Sequence, residues 1–322
     1  MQNINKETLL NISHVYKDFA IKKKTLHAVS NVCLEVFKGE ILGIVGESGC
    51  GKSTLAKMVS GSLLPTSGTI TLNGTDYTKL RGKEKRNFRR NIQMVFQEPL
   101  SSFSPRMKIG TYLYEPRINY DNVSKEQALD EAKKLLKQVS LSSDFVNRYP
   151  HELSGGQLQR VAIARAIAIS PQLLICDEAT GALDVSIQNQ IAQLLVKLVR
   201  EQNMGCLFIG HDLALVRSVS HRIAIMYLGK VLEIIDSEDL EKECVHPYTK
   251  ALLNSVFDVY CDQDEDVELL EGEPASSLEA QKGCVFAARC PQCCAKCLEE
   301  TVELQQVGAN HYTSCIMIKE FC

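Results

Sequence analysis

The stretch Ile41-Leu42-Gly43-Ile44-Val45-Gly46-Glu47-Ser48-Gly49-Cys50-Gly51-Lys52-Ser53-Thr54 decides the fold. Ile41 to Val45 reads as an apolar strand, and Leu55, Ala56, Met58 and Val59 continue as a helix. Between them, Gly46 to Ser53 fits G-x-x-x-x-G-K-[ST]. Glycines let the backbone curl until successive N–H groups point inward at phosphate oxygens. The helix N-terminus adds partial positive charge at the same place. Lys52 is then placed to reach the β- and γ-phosphates of a nucleoside triphosphate, and the Ser53 hydroxyl to ligate Mg²⁺. Gly46, Glu47, Ser48, Gly49, Cys50, Gly51, Lys52, Ser53 and Thr54 are the candidate ATP-binding residues.

Outward from this loop, strand and helix patterns alternate. Leu9 to Ser13, Val32 to Phe37, Thr69 to Leu72 before the Asn73-Gly74 turn, and Ile92 to Phe96 read as strands. Ser124 to Val139 and Ser154 to Ala168 have helical spacing. Leu173 to Cys176, Cys206 to Ile209 and Ile223 to Met226 are short apolar strands, with a helix from Ile187 to Arg200. Such runs suit a buried parallel sheet, so the core is expected to be α/β. The helical stretch between Ser101 and Ala168 reads as an insertion into it.

A second site lies at Leu173-Leu174-Ile175-Cys176-Asp177-Glu178. An apolar strand that delivers acids at its C-terminal end matches where ligands sit in open α/β sheets. Asp177 is expected to hold Mg²⁺, with Glu178 polarising the attacking water. Leu153-Ser154-Gly155-Gly156-Gln157 puts two glycines at a helix start, another anion-binding arrangement but without a lysine.

These motifs together resemble the ATP-binding cassette family, whose signature is LSGGQ. The resemblance implies a P-loop ATPase core, an N-terminal antiparallel β subdomain and an inserted helical subdomain at about residues 98–168. It also implies that Leu153 to Gln157 face the γ-phosphate held by a second cassette, identical or paralogous. By the same resemblance Phe19 stacks on adenine, with Tyr16 as its rival. Gln97 senses Mg²⁺, Asp184 lies on the loop crossing between cassettes, and His211 contacts the γ-phosphate. Ala179, Gly181, Gly210 and Leu158 depart from the usual family residues. None of them removes a phosphate, Mg²⁺ or water contact, so Glu178, His211 and Gln97 form a competent catalytic set.

Ser101-Ser102-Phe103-Ser104-Pro105-Arg106-Met107 and His246-Pro247-Tyr248-Thr249-Lys250-Ala251-Leu252-Leu253 resemble segments of the peptide and nickel importers. This implies two transmembrane permeases as partners, a substrate-binding protein acting indirectly, and uptake of di- or oligopeptides, with nickel or another small solute as the alternative. Phe103 and Met107 are candidate permease contacts, or core. The competing class is a soluble cassette ATPase acting on ribosomes or DNA. Such proteins usually carry two cassettes or a long coiled-coil insert, and this chain has one phosphate loop, one signature and no heptad run.

Seven of the thirteen cysteines, from Cys284 to Cys322, crowd the last forty residues. In some members of the importer branch the equivalents of Cys284, Cys290, Cys297 and Cys315 bind a [4Fe–4S] cluster. Thiolates suit such a cluster by their softness, and the spacing is not that of a zinc finger. Four reduced, packed thiols is the other reading. The expected division is a cassette at 1–258 and a Cys-rich C-terminal extension at 259–322, joined through the acidic run from Asp258 to Glu273.

The net charge of −3 over 322 residues offers no basic surface for nucleic acid. The polar N-terminus lacks a secretory signal and no run of about 18 apolar residues occurs. The expected location is the cytoplasmic face of the membrane, held there by a protein partner.

Overall fold

The computed structural model describes residues 7–22, 24–181, 183–257, 282–301 and 303–316. Strands β1 (Thr8–Ile21) and β2 (Lys24–Phe37) form a long antiparallel hairpin, followed by β3 (Ile41–Val45) and helix α1 (Lys52–Val59). Strands β4 (Ser67–Leu72) and β5 (Thr75–Asp76) add to β1, giving a four-stranded sheet in the order β2-β1-β4-β5. Helix α2 (Gly82–Arg90) and strand β6 (Ile92–Val95) lead into the helical insertion, which holds α3 (Ile109–Asp121), α4 (Lys125–Gln138) and α5 (Gly155–Ile167). The chain returns through β7 (Leu173–Asp177), α6 (Val185–Gln202), β8 (Gly205–Ile209), α7 (Leu213–Val219), β9 (Arg222–Tyr227) and β10 (Lys230–Asp236). Helices α8 (Leu240–Glu243), α9 (Pro247–Phe257) and α10 (Ala295–Glu299), then strands β11 (Gln305–Gly308) and β12 (His311–Thr313), complete the described residues.

The main sheet runs β11-β12-β10-β9-β3-β8-β7-β6. Its strands β9, β3, β8, β7 and β6 are mutually parallel. Every residue of β3, β7, β8 and β9 is buried, which is why these strands read as unbroken apolar runs rather than alternating ones. The sheet is mixed rather than wholly parallel: β10 and β12 continue it antiparallel, so the C-terminal segment is hydrogen-bonded into the core. The hairpin also exceeds the two short strands expected from sequence. Register shifts between Ile12 and Val15 and between Val15 and Lys17 break the alternation that would have revealed it. The acidic run from Asp258 to Glu273 lies outside the described residues.

In the insertion, Ser124 and Ser154 each cap a helix reciprocally with a glutamine three residues on, Gln127 and Gln157. The hairpin is tied to the main sheet by a buried ion pair. Arg222 on β9 donates to Glu40 at 2.6 and 3.1 Å, and its guanidinium lies over the Phe37 ring.

A second polar knot joins the C-terminal elements. Glu233 on β10 is fully buried. It lies 2.8 Å from His311 Nε2 and accepts N–H bonds from Val245 at 2.8 Å and His246 at 3.3 Å. The His246 ring is also buried and its Nδ1 accepts the Tyr248 N–H at 3.1 Å. Burial pushes its pKa down to about 4, against an opposing pull from Glu233. A neutral folded-state histidine that becomes protonated when unfolded stabilises the fold fully above the ordinary histidine pKa. That contribution is lost as pH falls through the window from ~6.5 to about 4. We expect folding stability to drop by about 2 kcal/mol between pH 7 and pH 5 from this group. His246→Asn, whose amide oxygen can still accept the Tyr248 N–H, should flatten that part of the pH dependence in denaturant titrations. An unchanged slope would exclude His246 as its source.

Candidate nucleotide site

The phosphate loop joins β3 to α1, and its curl requires glycine at two places. A side-chain carbon on Gly46 would lie 1.9 Å from the Met226 carbonyl oxygen; one on Gly51, at φ +105°, would lie 2.3 Å from the Ala28 carbonyl oxygen. Lys52 is almost wholly buried. Its ammonium donates to the Gly46 and Glu47 carbonyls at 2.7 and 2.8 Å, which holds it across the loop. The Cys50 thiol is buried, and burial raises its pKa against the opposing pull of the Lys52 ammonium.

Ser53 on α1 donates to the Asp177 carboxylate at 3.0 Å. Burial raises the Asp177 pKa, the Ser53 hydroxyl opposes the rise, and the neighbouring Glu178 adds to it. Two hard oxygen donors so close together fit Mg²⁺. Glu178 follows Asp177 at the end of β7. Its backbone is left-handed, φ 48°, and its N–H bonds to the Ile209 carbonyl of β8 at 2.9 Å. Non-glycine residues in that region are uncommon and collect at functional sites.

Phe19, Lys52, Ser53, Thr54 and Glu178 all line one cleft, as do Ser48, Gly49 and Gly51 of the loop. Tyr16 is not among its lining residues; Phe19 is, with the Lys17 ammonium 5.0 Å from its ring centre. Sequence reading missed the floor and rim supplied by Leu26, His27, Ala28, Leu228 and Gly229. Leu228 and Gly229 have left-handed backbones in the tight turn between β9 and β10, and the Leu-Gly pair there was a weak signal.

Gln97 and His211 approach the acid pair around Gly181. A side-chain carbon built on Gly181 would lie 3.4 Å from His211 Cε1, 3.6 Å from Gln97 Nε2 and 3.6 Å from the Glu178 carbonyl oxygen. These are ordinary contacts, so the departure from serine at this position leaves the site's shape intact.

The signature stands apart. Ser154 caps α5 and Leu153 is buried, while Ser154 and Gly155 are exposed and none of the five residues lines the cleft. Gly156 packs so closely that an added side-chain carbon would meet Ile187 Cγ2 at 2.8 Å. Asp184, exposed, sits at the start of α6 beside it without a side-chain cap.

A groove also opens between β6 and the helical insertion. Met94, Phe96, Pro99, Tyr112, Glu115 and Arg165 are among its walls. Phe96 and Leu100 are its exposed apolar neighbours, 46% and 60% accessible. Of the two readings left open for Phe103, permease contact or core, the structure shows core. Phe103 is 8% exposed and stacks on Tyr112 with ring centres 4.1 Å apart. Met107 packs against the same core.

Cys284, Cys290, Cys297 and Cys315 line one small, mostly apolar cavity with His246 and Phe286. Burial raises all three of the Cys284, Cys290 and Cys297 pKa values, the latter two to about 11. Among the described residues no group of three or more His, Cys, Asp or Glu is disposed to hold a single metal ion.

Residues 29–181 match the family described as "ABC transporter", and residues 232–297 match "Oligopeptide/dipeptide transporter, C-terminal region". The chain is 41% identical to the oligopeptide transport ATP-binding protein OppF of Salmonella typhimurium, covering 97% of each chain. It is 39% identical to OppF of Haemophilus influenzae, covering 98% of each. A dimeric ATP-binding cassette solved in a post-hydrolysis state with ADP and phosphate superposes with a TM-score of 0.66 at 31% identity, covering 71% of this chain and 99% of that one. A strand–loop–helix phosphate cradle, an acid pair beside it and these matches lead to one conclusion: the chain belongs to the ATP-binding cassette family of transport ATPases.

Proposed function

We propose that this chain is the ATP-hydrolysing subunit of a peptide importer, working at the cytoplasmic face of the membrane. The observation that carries the hydrolytic reading is the meeting of Ser53, Asp177 and Glu178 at one end of the main sheet. In this reading Lys52 and the loop N–H groups hold the phosphates, and Ser53 and Asp177, with Gln97, hold Mg²⁺. Bound there, Mg²⁺ would neutralise phosphate charge. Glu178 orients water against the γ-phosphate, His211 contacts that phosphate, and Phe19 stacks on adenine. Glu178→Gln keeps size and hydrogen bonding but removes the charge. Phosphate release should fall by ~10²–10⁴ while nucleotide binding persists; near-normal turnover would remove Glu178 from the mechanism.

The exposure of Ser154 and Gly155, away from the cleft, supports a two-cassette assembly, in which Leu153, Ser154, Gly155, Gly156 and Gln157 complete the partner's site and Asp184 lies on the crossing loop. The division of labour we propose puts nucleotide chemistry in residues 1–258 and the importer-branch extension in 259–322. Two permeases, fed by a substrate-binding protein, are the membrane partners. Among the described residues no helix is long and apolar enough to cross a membrane, so attachment is through those partners. The groove beside Phe96 and Leu100 is the seat proposed for a short permease helix, because exposed apolar groups at a concave polar rim mark interaction sites. A photocrosslinker at Leu100 should capture a permease in cells. Capture of ribosomal proteins instead would favour the soluble class of cassette ATPase.

Peptide is the cargo favoured by the C-terminal region matched at residues 232–297; nickel is the second choice. For the cysteine cavity we propose a [4Fe–4S] cluster, on the sharing of one cavity by four thiols whose softness suits iron–sulfur chemistry. Cys284, Cys290, Cys297 and Cys315 would hold such a cluster as thiolates, which at Cys284, Cys290 and Cys297 works against the burial that raises their pKa. Protein purified without oxygen should then carry about four irons per chain and be brown, and Cys290→Ser with Cys297→Ser should bleach it. Colourless, iron-free protein would leave four packed thiols.

A further inference from the structure

The C-terminal segment touches the phosphate loop itself. Arg289, immediately before Cys290, donates from Nη1 to both carboxylate oxygens of Glu47, at 2.8 and 3.1 Å. The same nitrogen lies 3.4 Å from the Tyr227 hydroxyl at the end of β9. From the other side, the Glu47 backbone N–H donates to the Tyr248 hydroxyl of α9 at 3.1 Å. Phe286 packs against both tyrosine rings, with centres 5.5 and 5.3 Å away, and so fixes this corner. The Arg289 side chain is 8% exposed and that of Glu47 27%.

Glu47 creates an electrostatic problem. A carboxylate on the loop that must cradle a triphosphate repels its own ligand, and partial burial weakens the screening that water would supply. A guanidinium, which keeps its charge when buried, is suited to neutralising a carboxylate in such a place, here through the one nitrogen Nη1. It is delivered here by a segment 242 residues further along the chain.

We propose that Arg289 is a positioning residue of the nucleotide site. It cancels the charge of Glu47 and, with Tyr248, sets where the first turn of the phosphate loop sits. The C-terminal segment is on this view part of the ATP-binding apparatus, whatever fills the cysteine cavity beside it. The proposal rests on ATP binding at the loop and not on the role of Glu178 or on an iron–sulfur cluster.

The test uses the full chain with Mg-ATP as the probe. Arg289→Gln should weaken Mg-ATP affinity about tenfold, the size expected from one charge-assisted contact. KM should rise while kcat at saturation is largely kept, because binding rather than the transition state is affected. Adding Glu47→Gln to Arg289→Gln should restore most of the lost affinity, since the repelling charge is then gone. The gap between wild type and Arg289→Gln should narrow as salt screens the field. A folded Arg289→Gln protein with unchanged affinity would overturn the proposal. So would a double variant as weak as the single one, because lost packing is not rescued by removing a charge. If Arg289→Gln does not fold, Arg289→Lys decides. It keeps the charge, and one ammonium can replace the single nitrogen that meets Glu47, so affinity should stay within about threefold of wild type, whereas a tenfold loss with lysine would refute charge cancellation.

Discussion

The nucleotide site depends on two close approaches between backbones. Gly46 lies against the Met226 carbonyl at the end of β9, and Gly51 against the Ala28 carbonyl of β2. No side chain fits at either point, so the loop is pressed into its curl by strands on both sides. Once the curl is fixed, α1 starts at the carboxyl end of β3, Ser53 reaches Asp177, and Lys52 has two loop carbonyls to rest on. The hairpin therefore does more than line the cleft. It supplies Phe19 to the cleft and Ala28 to the loop, and the Arg222–Glu40 pair holds its base to the main sheet.

Much of this was legible because burial on both faces erases alternation. Four strands of the parallel core announce themselves as continuous apolar runs, and two helices of the insertion by the helical spacing of their apolar residues. What stayed hidden follows equally from physics. Strand β10 carries Glu233 at its centre, and a carboxylate in a strand reads as solvent-facing. Its buried partner His311 comes from 78 residues away, beyond the reach of local pattern. Helix α3 contains Pro116, which argues against a helix from sequence alone. Phe96 and Phe103 look alike as residues, yet one is exposed and the other stacked in the core. Nothing in either's immediate neighbours distinguishes them.

The C-terminal segment illustrates the same limit. A short stretch with few large apolar residues suggests a unit that needs a metal to fold. In the structure it borrows a core instead. Phe286 is 1% exposed among Tyr227, Tyr248 and His246, and β12 pairs with β10. Surface buried against the cassette therefore contributes to its ordering, and the cysteine cavity lies beside that packing.

Sheet register does the rest of the site's assembly. Asp177 pairs with Ile209 across β7 and β8, and the Glu178 N–H continues that ladder. The residues just past these two strand ends are thereby brought together: the acid pair on one, His211 two positions beyond Ile209 on the other, with Gly181 leaving room for Gln97 between them. A one-residue slip would turn a buried strand over and separate them. The signature escapes this ordering because it caps α5, on the insertion, rather than a strand end. No rearrangement of β7 or β8 within one chain moves Ser154 into the cleft. The parts that line the cleft are thus fixed by the sheet, and the signature rides on the helix that also walls the groove beside Phe96. In the assembly proposed above, a partner seated in that groove and a nucleotide at the opposite cassette would act on one insertion, a physical route by which either biases the other.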